Sequence, residues 1–264
     1  MKKIVILALH LGVGGIERVI VNISNLLCES NDVTIISAYN LKENLTSEID
    51  TRVKIKYLLG NLKPNKEDLK KSIKSHNIFQ VLKQCFISIK VLYLRKRLMI
   101  KEIKRIDADI IISTRLLFNS WLGKYAKKDI IKIAQEHNHH NNNKKFIRAV
   151  KKSLKNIDYF MPVSEELLKF YSKILENSKT KTLYIPNFIN FDSKITSSLD
   201  SETILAVGRL DKIKGFYDLI ETFKLVNKKY PNWTLKIAGS GSEMENLEKE
   251  ISFEELNNKV FLLR

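Results

Sequence analysis

The chain has 264 residues, of which 44% are hydrophobic and 28% charged, and its formal net charge is +17. This composition is typical of a globular protein that can bury a core. The two cysteines, Cys28 and Cys85, stand in no motif, which excludes a disulfide scaffold and favours a reduced, cytoplasmic setting. No apolar run approaches the ~20 residues that span a bilayer. Residues 1–9 outline a signal peptide, but we interpret them as a first buried strand, with secretion as the alternative.

Short β-branched segments alternate with amphipathic segments of helical length along the whole chain. Strands are predicted at 3–9, 33–38, 53–59, 109–113, 130–135, 158–163, 181–185, 203–207, 234–238 and 259–263. Helices are predicted at 15–29, 67–105 (with a break), 117–127, 144–156, 164–177, 214–229 and 242–256. Nearly continuous runs of Ile, Val and Leu, as at 4–7, 110–112 and 204–207, predict strands buried on both faces. The alternation therefore predicts a doubly wound α/β architecture.

A polar, serine-rich segment at 187–202 has the composition of a linker, and the strand–helix alternation restarts after it. We therefore predict two domains, residues 1–190 and 191–264. The first would hold about seven strands. The second would hold three, which is small for a free-standing parallel sheet.

The positive charge is concentrated between residues 63 and 105, where thirteen Lys and Arg face three acidic residues, a local charge of +10. Such a stretch favours a phosphate-bearing partner, either lipid headgroups or nucleic acid. Apolar residues interleave with the cations in its second half, as in basic amphipathic helices that lie on anionic membranes. A solvated helix face is the alternative.

Two glycine-containing turns each join a predicted strand to a predicted helix. The first reads Gly12-Val13-Gly14-Gly15, so a ligand can approach its backbone, although the third glycine of a dinucleotide fingerprint is missing. The second, residues 208–216, contains Gly208, Arg209, Lys214 and Gly215. Two cations beside a helix start favour a diphosphate. A plain tight turn and a solvated basic turn are the respective alternatives.

In this order along the chain, the motifs resemble those of family 4 glycosyltransferases. They are Gly14-Gly15-Ile16-Glu17-Arg18, Val163-Ser164, Ile185-Pro186-Asn187, the turn at 208–216, and Ala238-Gly239-Ser240-Gly241. The resemblance implies the GT-B fold, with two Rossmann-like domains and the active site in the cleft between them. It implies a retaining reaction that uses a nucleotide-diphosphate sugar and needs neither a cofactor nor a metal.

The same resemblance implies roles for particular residues. Arg209 and Lys214, with Gly208, would hold the donor diphosphate, and Gly14 and Gly15 would lie across the cleft. Further cleft candidates are Glu17, Asn187, Gly239 and Gly241.

Three histidines lie within 134–140, directly after a predicted strand. Family members carry a histidine near this point that lies close to the transferred sugar, and His137 matches it best, with His139 second. Without the resemblance, the cluster suggests a metal site, although the spacing is poor for one ion and no Cys or Asp accompanies it. A surface loop without a role is the third interpretation.

One element of the family pattern is missing. A Glu-x7-Glu element normally follows some 30 to 50 residues beyond the equivalent of Arg264, and no such element is present here. We therefore expect a C-terminally truncated chain with an incomplete second domain and little or no transferase activity of its own, with a diverged short form as the alternative.

The expected function is sugar transfer to a lipid-linked or oligosaccharide acceptor in capsule or lipopolysaccharide synthesis. The enzyme would act in the cytoplasm at the inner face of the plasma membrane, held there by residues 63–105 and without binding nucleic acid. The alternatives are a nucleotide- or phosphate-binding remnant without activity, a Rossmann oxidoreductase and a nucleic-acid binder. The incomplete glycine fingerprint weighs against the oxidoreductase, and the absence of a nucleic-acid-binding motif weighs against the last.

Overall fold

The computed structural model describes residues 1–42, 44–189 and 196–263. They form two compact units, Met1–Asp192 and Ser193–Arg264, and both are built from parallel strands and helices. The predicted α/β class is therefore confirmed. The predicted domain boundary, between residues 190 and 191, lies outside the described residues.

The described residues of the first unit form seven parallel strands. They are β1 (Lys3–Ala8), β2 (Asp32–Ser37), β3 (Lys54–Tyr57), β4 (Ile110–Ser113), β5 (Ile131–Glu136), β6 (Tyr159–Pro162) and β7 (Lys181–Thr182). Their order in the sheet is β3-β2-β1-β4-β5-β6-β7. The order reverses between β1 and β4, which is the topological switch point where doubly wound sheets bind ligands at the carboxyl ends of their strands.

In the described part of this unit, six helices connect the strands. They are α1 (Gly15–Leu27), α2 (Lys66–Lys74), α3 (Ile78–Arg105), α4 (Leu116–Tyr125), α5 (Lys144–Ser153) and α6 (Glu165–Ile174). The break predicted within 67–105 is confirmed between α2 and α3. It occurs because His76 takes a left-handed conformation, with φ of 54°, and Asn77 then caps α3 by accepting the Gln80 N–H. Among the described residues, no helix is both long and apolar enough to cross a bilayer.

Helices cover both faces of this sheet. One face packs Ile4, Ile6 and Ile35 against Ile20 and Val21 of α1. The other face packs Val5, Leu7 and Ile111 into a larger core. That core includes Met99 of α3, Phe118 of α4, Val150 of α5 and Tyr171 of α6. Burial of strand residues on both faces is thus confirmed for β1 and β4.

The second unit is a three-stranded parallel sheet with two helices. Its elements are β8 (Thr203–Val207), α7 (Phe216–Lys229), β9 (Thr234–Ala238), α8 (Met244–Phe253) and β10 (Val260–Leu263), and the strand order is β10-β9-β8. α7 and α8 contribute to one core with Ile204, Leu235 and Ile237.

Every second side chain of β8, at Leu205 and Val207, lies outside that core. Leu205 is 62% exposed and Val207 75% exposed, so the prediction that β8 is buried on both faces is wrong for the unit as described. The apolar run at 204–207 correctly predicted a strand. However, burial of its second face requires a covering layer, and both described helices pack on the first face.

Candidate functional site

The loops that follow β1, β4 and β5 meet at the switch point of the first unit. The loop after β1 leads into α1 and carries the glycines and Glu17, and the loop after β4 carries Arg115. β5 ends at Glu136, so His137 is the first residue beyond the strand. Because neighbouring parallel strands end at one edge, residues far apart in sequence come together here.

A buried ion pair lies at the centre of this edge. Glu17 is only 4% exposed, and its Oε1 accepts a hydrogen bond from Arg115 Nη2 at 2.7 Å. His10 Nδ1 lies 3.5 Å from the same oxygen and accepts the Gly12 N–H at 3.2 Å. Burial lowers the pKa of His10, and the charge of Arg115 adds to this effect, although Glu17 opposes it. A neutral imidazole that accepts the Gly12 N–H through Nδ1 has no proton there for Glu17, so Arg115 is the cation that pairs with this carboxylate.

The two neighbouring glycines of this loop differ in their surroundings. Gly14 is extended, with φ of 177°, so its backbone conformation is open to any residue. A Cβ at Gly14 would, however, lie 2.3 Å from Glu17 Oε2, whereas a Cβ at Gly15 would meet nothing within 4 Å. Gly14 is therefore required for space beside the ion pair, and the face at Gly15 is open for a ligand to approach.

This difference predicts opposite outcomes for two matched substitutions. Gly14→Ala displaces the Glu17 carboxylate from Arg115 and lowers the free energy of unfolding by about 1–3 kcal/mol. Gly15→Ala leaves stability unchanged or raises it by about 0.4–1 kcal/mol, because Gly15 is the first helical residue and has free space. Urea unfolding of both variants measures the difference. Equal destabilisation by the two alanines would contradict the structure.

His137 faces the same ion pair. Its Nε2 is buried and has no hydrogen-bond partner among the described residues. Burial lowers the pKa of His137 to about 4, the charge of Arg115 acts in the same direction, and Glu17 opposes both. The imidazole is therefore neutral at physiological pH. A neutral imidazole with a free ring nitrogen can exchange a hydrogen bond with a hydroxyl group but cannot supply a positive charge.

This shift predicts a pH-dependent stability. Between pH 4 and 6.5 the unfolded chain binds more protons at His137 than the folded chain does, so stability falls as the pH is lowered through this window. The full shift corresponds to roughly 3 kcal/mol. In urea unfolding from pH 4 to 7, the free energy of unfolding of His137→Asn should depend less on pH than that of the wild type. The control, His76→Asn, changes an exposed histidine at a left-handed position that Asn tolerates and should keep the wild-type slope. Parallel curves for all three proteins would contradict the prediction.

The other polar residues of this loop point to different partners. Glu136 is buried, which raises its pKa, and its Oε1 accepts the backbone and side-chain N–H groups of Asn138. His139 is exposed and lies 3.4 Å from Glu166. His140 is buried and stacks on Phe170 at 3.9 Å between ring centroids. The three histidines do not converge, and no group of metal-binding side chains occurs in the part of the chain that the structure describes.

Asn187 lies beside the glycine loop in the first unit. With Gly15, Arg18 and Asn22 it lines a groove of about 640 Å³ on α1. Asn22 Nδ2 donates to the Phe188 carbonyl at 2.9 Å, which fixes the Asn187 segment against the helix. The structure therefore brings together Gly15 and Asn187, two residues that the sequence could place only in separate motifs.

In the second unit, the turn after β8 presents two exposed cations. Arg209 is paired with Asp211 through Nε, and Lys214 ends a single turn of 3-10 helix, Lys212–Lys214. Gly215 follows in the left-handed region, with φ of 69°, so α7 begins at Phe216 and not at 214 as predicted. Exposed ion pairs contribute little, about 0–1 kcal/mol, so Arg209 can exchange Asp211 for another anion.

The remaining glycines of the second unit bring two loops into contact. A Cβ at Gly239, where φ is 155°, would lie 2.0 Å from the Gly208 carbonyl oxygen, and one at Gly241 would lie 2.3 Å from that of Leu210. Backbone hydrogen bonds join the same loops, from Gly208 N–H to Ala238 O and from Leu210 N–H to Ser240 O. Gly239 and Gly241 thus support the turn that carries Arg209.

Arg115 is the site residue that sequence reasoning missed. It belongs to no glycine loop or histidine cluster, and it stands 98 positions from Glu17. Its position two residues beyond β4 could have indicated a site residue, because β4 lies next to β1 at the switch point, where ligands bind.

Comparison with known proteins relates this chain to glycosyltransferases. Residues 187–264 match the family model described as glycosyl transferases group 1. An uncharacterized glycosyltransferase of Haemophilus influenzae is 29% identical over 253 residues, which cover 94% of this chain and 65% of the relative. The chain thus spans about two thirds of that relative's length. A poly(glycerol-phosphate) alpha-glucosyltransferase of Bacillus subtilis is 30% identical over 135 residues, 48% of this chain and 20% of the relative.

The fold is shared with solved glycosyltransferases. TarM of S. aureus, in a crystal structure with alpha-GlcNAc-glycerol and UDP, superposes with a TM-score of 0.73 at 15% identity, over 99% of this chain and 77% of TarM. Its similarity concerns the fold alone. Residues 187–264 are thus similar to the group 1 glycosyltransferases, and the Rossmann-like units share their fold with solved GT-B glycosyltransferases.

Proposed function

We propose that this chain belongs to a retaining, metal-independent glycosyltransferase. It would move a sugar from a nucleotide sugar to a lipid-linked or oligosaccharide acceptor during surface polysaccharide synthesis. The observation that carries the proposal is the turn with Arg209 and Lys214 exposed after β8, within the segment that matches the group 1 family model. The poly(glycerol-phosphate) alpha-glucosyltransferase of Bacillus subtilis, which is related in sequence, supports sugar transfer as the reaction class, and TarM, solved with UDP, shares the fold.

In this proposal the second unit binds the donor diphosphate. The guanidinium of Arg209 leaves Asp211 and forms two hydrogen bonds with phosphate oxygens, while Lys214 supplies a mobile point charge. As the sugar departs, negative charge grows on the leaving diphosphate, and both cations stabilise it. The close contact of Gly239 with Gly208 holds the turn in place for this role.

The first unit supplies the neutral side chain near the sugar. His137 has a free, buried Nε2 beside the ion pair of Glu17 and Arg115. Because its pKa is about 4, it would orient a sugar hydroxyl by hydrogen bonding and would not act as a cationic acid. The open face at Gly15 would let donor or acceptor approach the start of α1.

A transferase assay tests the proposal. The natural protein that carries this sequence is incubated with UDP-, GDP- and ADP-sugars and an extract of lipid-linked saccharides, with and without EDTA. We expect transfer that EDTA does not reduce, with the anomeric configuration retained in the NMR spectrum of the product. Inverted product, or binding of NADH without binding of any nucleoside diphosphate, would contradict the proposal.

We further propose that α3 holds the enzyme on an anionic membrane surface. Its exposed side chains include Phe79, Leu82, Phe86, Ile89 and Tyr93, which follow a three–four spacing along one helical face. Phe79 is 87% exposed and Phe86 69% exposed, and Lys83 and Lys90 are also exposed on this helix. An apolar stripe with flanking cations suits the interface of an anionic bilayer.

The membrane proposal predicts that Phe86→Glu combined with Ile89→Glu reduces binding to vesicles of phosphatidylglycerol at least tenfold. Each substitution removes a side chain whose burial stabilises by about 1.5–3 kcal/mol. Cosedimentation measures the change, and Leu225→Glu, which alters a similarly exposed leucine on α7, is the control. Wild-type binding that is weak, or that is equal for phosphatidylglycerol and phosphatidylcholine vesicles, would contradict it.

A further inference from the structure

A second cavity lies at the same edge of the first sheet, beneath the α2–α3 pair. Its volume is about 340 Å³, and its apolar wall includes Leu9, Tyr39, Leu69 and Val91. Leu9 follows β1 and Tyr39 follows β2, and the Tyr39 N–H donates to the Leu9 carbonyl at 3.0 Å. The cavity therefore opens on the carboxyl edge that carries the glycine loop, and Leu9 directly precedes His10 of the ion-pair cluster.

Arg95 brings a positive charge into this apolar cavity. Its Nε is buried without a hydrogen-bond partner, and its Nη1 reaches only the Tyr39 hydroxyl, at a long 3.4 Å. Over the described ranges, no carboxylate lies within ion-pairing distance of the guanidinium, although nine other Lys and Arg side chains form ion pairs there. A half-buried cation without an anion is costly, so this position favours an anionic ligand.

Two neutral polar side chains of the cavity wall are already hydrogen-bonded. Asn65 Oδ1 accepts from Ser88 Oγ at 2.7 Å, and Asn65 Nδ2 donates to the Gln84 carbonyl at 2.9 Å. These bonds tie the start of α2 to α3 and keep the cavity open between them. The half-buried guanidinium and the exposed ammonium of Lys66 are thus the charged groups of the wall, both cationic, and most of the remaining surface offers apolar contact.

We propose that this cavity binds the acceptor of the reaction, and that the acceptor is an amphiphilic phosphate ester. Its phosphate would pair with Arg95, and the adjoining hydrocarbon would pack on Leu69 and Val91. A guanidinium matches two phosphate oxygens in one plane. A volume of about 340 Å³ admits the phosphate and a short hydrocarbon segment, not a whole lipid. Describing the ligand as the acceptor rests on the proposed glycosyltransferase function, whereas the phosphate-ester site itself does not.

Calorimetric titration of the full chain with hexyl phosphate, hexanol and inorganic phosphate tests this site. We expect saturable binding of hexyl phosphate that is at least tenfold tighter than that of either other probe. Arg95→Met should weaken it at least tenfold. Arg97→Met, which changes an exposed arginine on the same helix, should not. Leu69→Trp, which fills the cavity and keeps the charge, should abolish binding, and melting temperatures show that each variant is folded.

Several results would overturn the inference. They are equal binding of hexanol and hexyl phosphate, inorganic phosphate binding as tightly as hexyl phosphate, and full binding by folded Arg95→Met. A nucleoside diphosphate is titrated into the same samples as an independent readout of the donor site. If it binds and hexyl phosphate does not, the cavity assignment fails and the glycosyltransferase proposal stands. If hexyl phosphate binds and no nucleoside diphosphate does, the phosphate-ester site stands and the donor site fails.

Discussion

Replacing Arg209 and Lys214 together by alanine should weaken the binding of a nucleoside diphosphate by about a hundredfold or more. Each side chain is exposed after β8, and a hydrogen bond to a charged group contributes about 1.5–3 kcal/mol. Because 1.4 kcal/mol corresponds to a factor of ten in affinity, two such contacts account for this loss. The stability of the second unit should change little, since the Arg209 side chain is 67% exposed and its ion pair with Asp211 lies near the surface.

Isothermal titration with UDP, GDP and ADP measures the effect, using the nucleotide that binds the wild-type chain most tightly. Lys212→Ala is the matched control, because Lys212 is an exposed lysine of the same 3-10 turn outside the predicted pair. The single substitutions show how the loss divides between the two cations. A double variant that binds as tightly as the wild type, or a Lys212 variant that loses as much affinity, would remove the donor assignment from this turn.

Replacing Arg115 by methionine should lower the free energy of unfolding of the first unit by about 3–5 kcal/mol. The substitution leaves the Glu17 carboxylate, which is 4% exposed, without its cationic partner. Removing one member of a buried ion pair is costly because the other charge remains desolvated. His10 does not replace the arginine, since burial lowers its pKa and it is neutral near pH 7.

A double-mutant cycle separates the pair from the rest of the fold. Arg115→Met with Glu17→Gln removes both charges, so we expect it to be more stable than the single arginine variant. Urea unfolding gives the free energies, and Lys124→Met, at an exposed position of α4, is the control for general effects of that helix. If the double variant is no more stable than Arg115→Met, Arg115 does not stabilise the first unit through its ion pair with Glu17.

The sequence predicted each strand that the described residues form, because most of these strands are short apolar or β-branched runs between turn residues. Errors occur mainly at element ends. β7 covers only Lys181–Thr182 of the predicted 181–185, where its neighbour β6 ends at Pro162, which has no N–H to donate. The helix predicted from 214 begins at Phe216, because the left-handed conformation of Gly215 interrupts it.

The candidate site was predictable only in its local parts. The glycine loop and the turn with Arg209 and Lys214 are contiguous in sequence, so their chemistry can be read from neighbouring residues. The choice among His137, His139 and His140 depends on which way each ring points. The structure directs His137 toward the ion pair and buries His140 against Phe170. The roles of these residues in transfer remain predictions.

The sequence by itself determined the α/β class, the strands and the distribution of charge, since apolar periodicity and turn residues act over a few neighbouring positions. The tertiary structure decided what strand order and helix packing bring together over long separations. It paired Glu17 with Arg115, placed Arg95 beside Tyr39, and left Leu205 exposed in an apolar strand. Such contacts depend on which strands become neighbours and which face a helix covers, and local sequence patterns do not encode either.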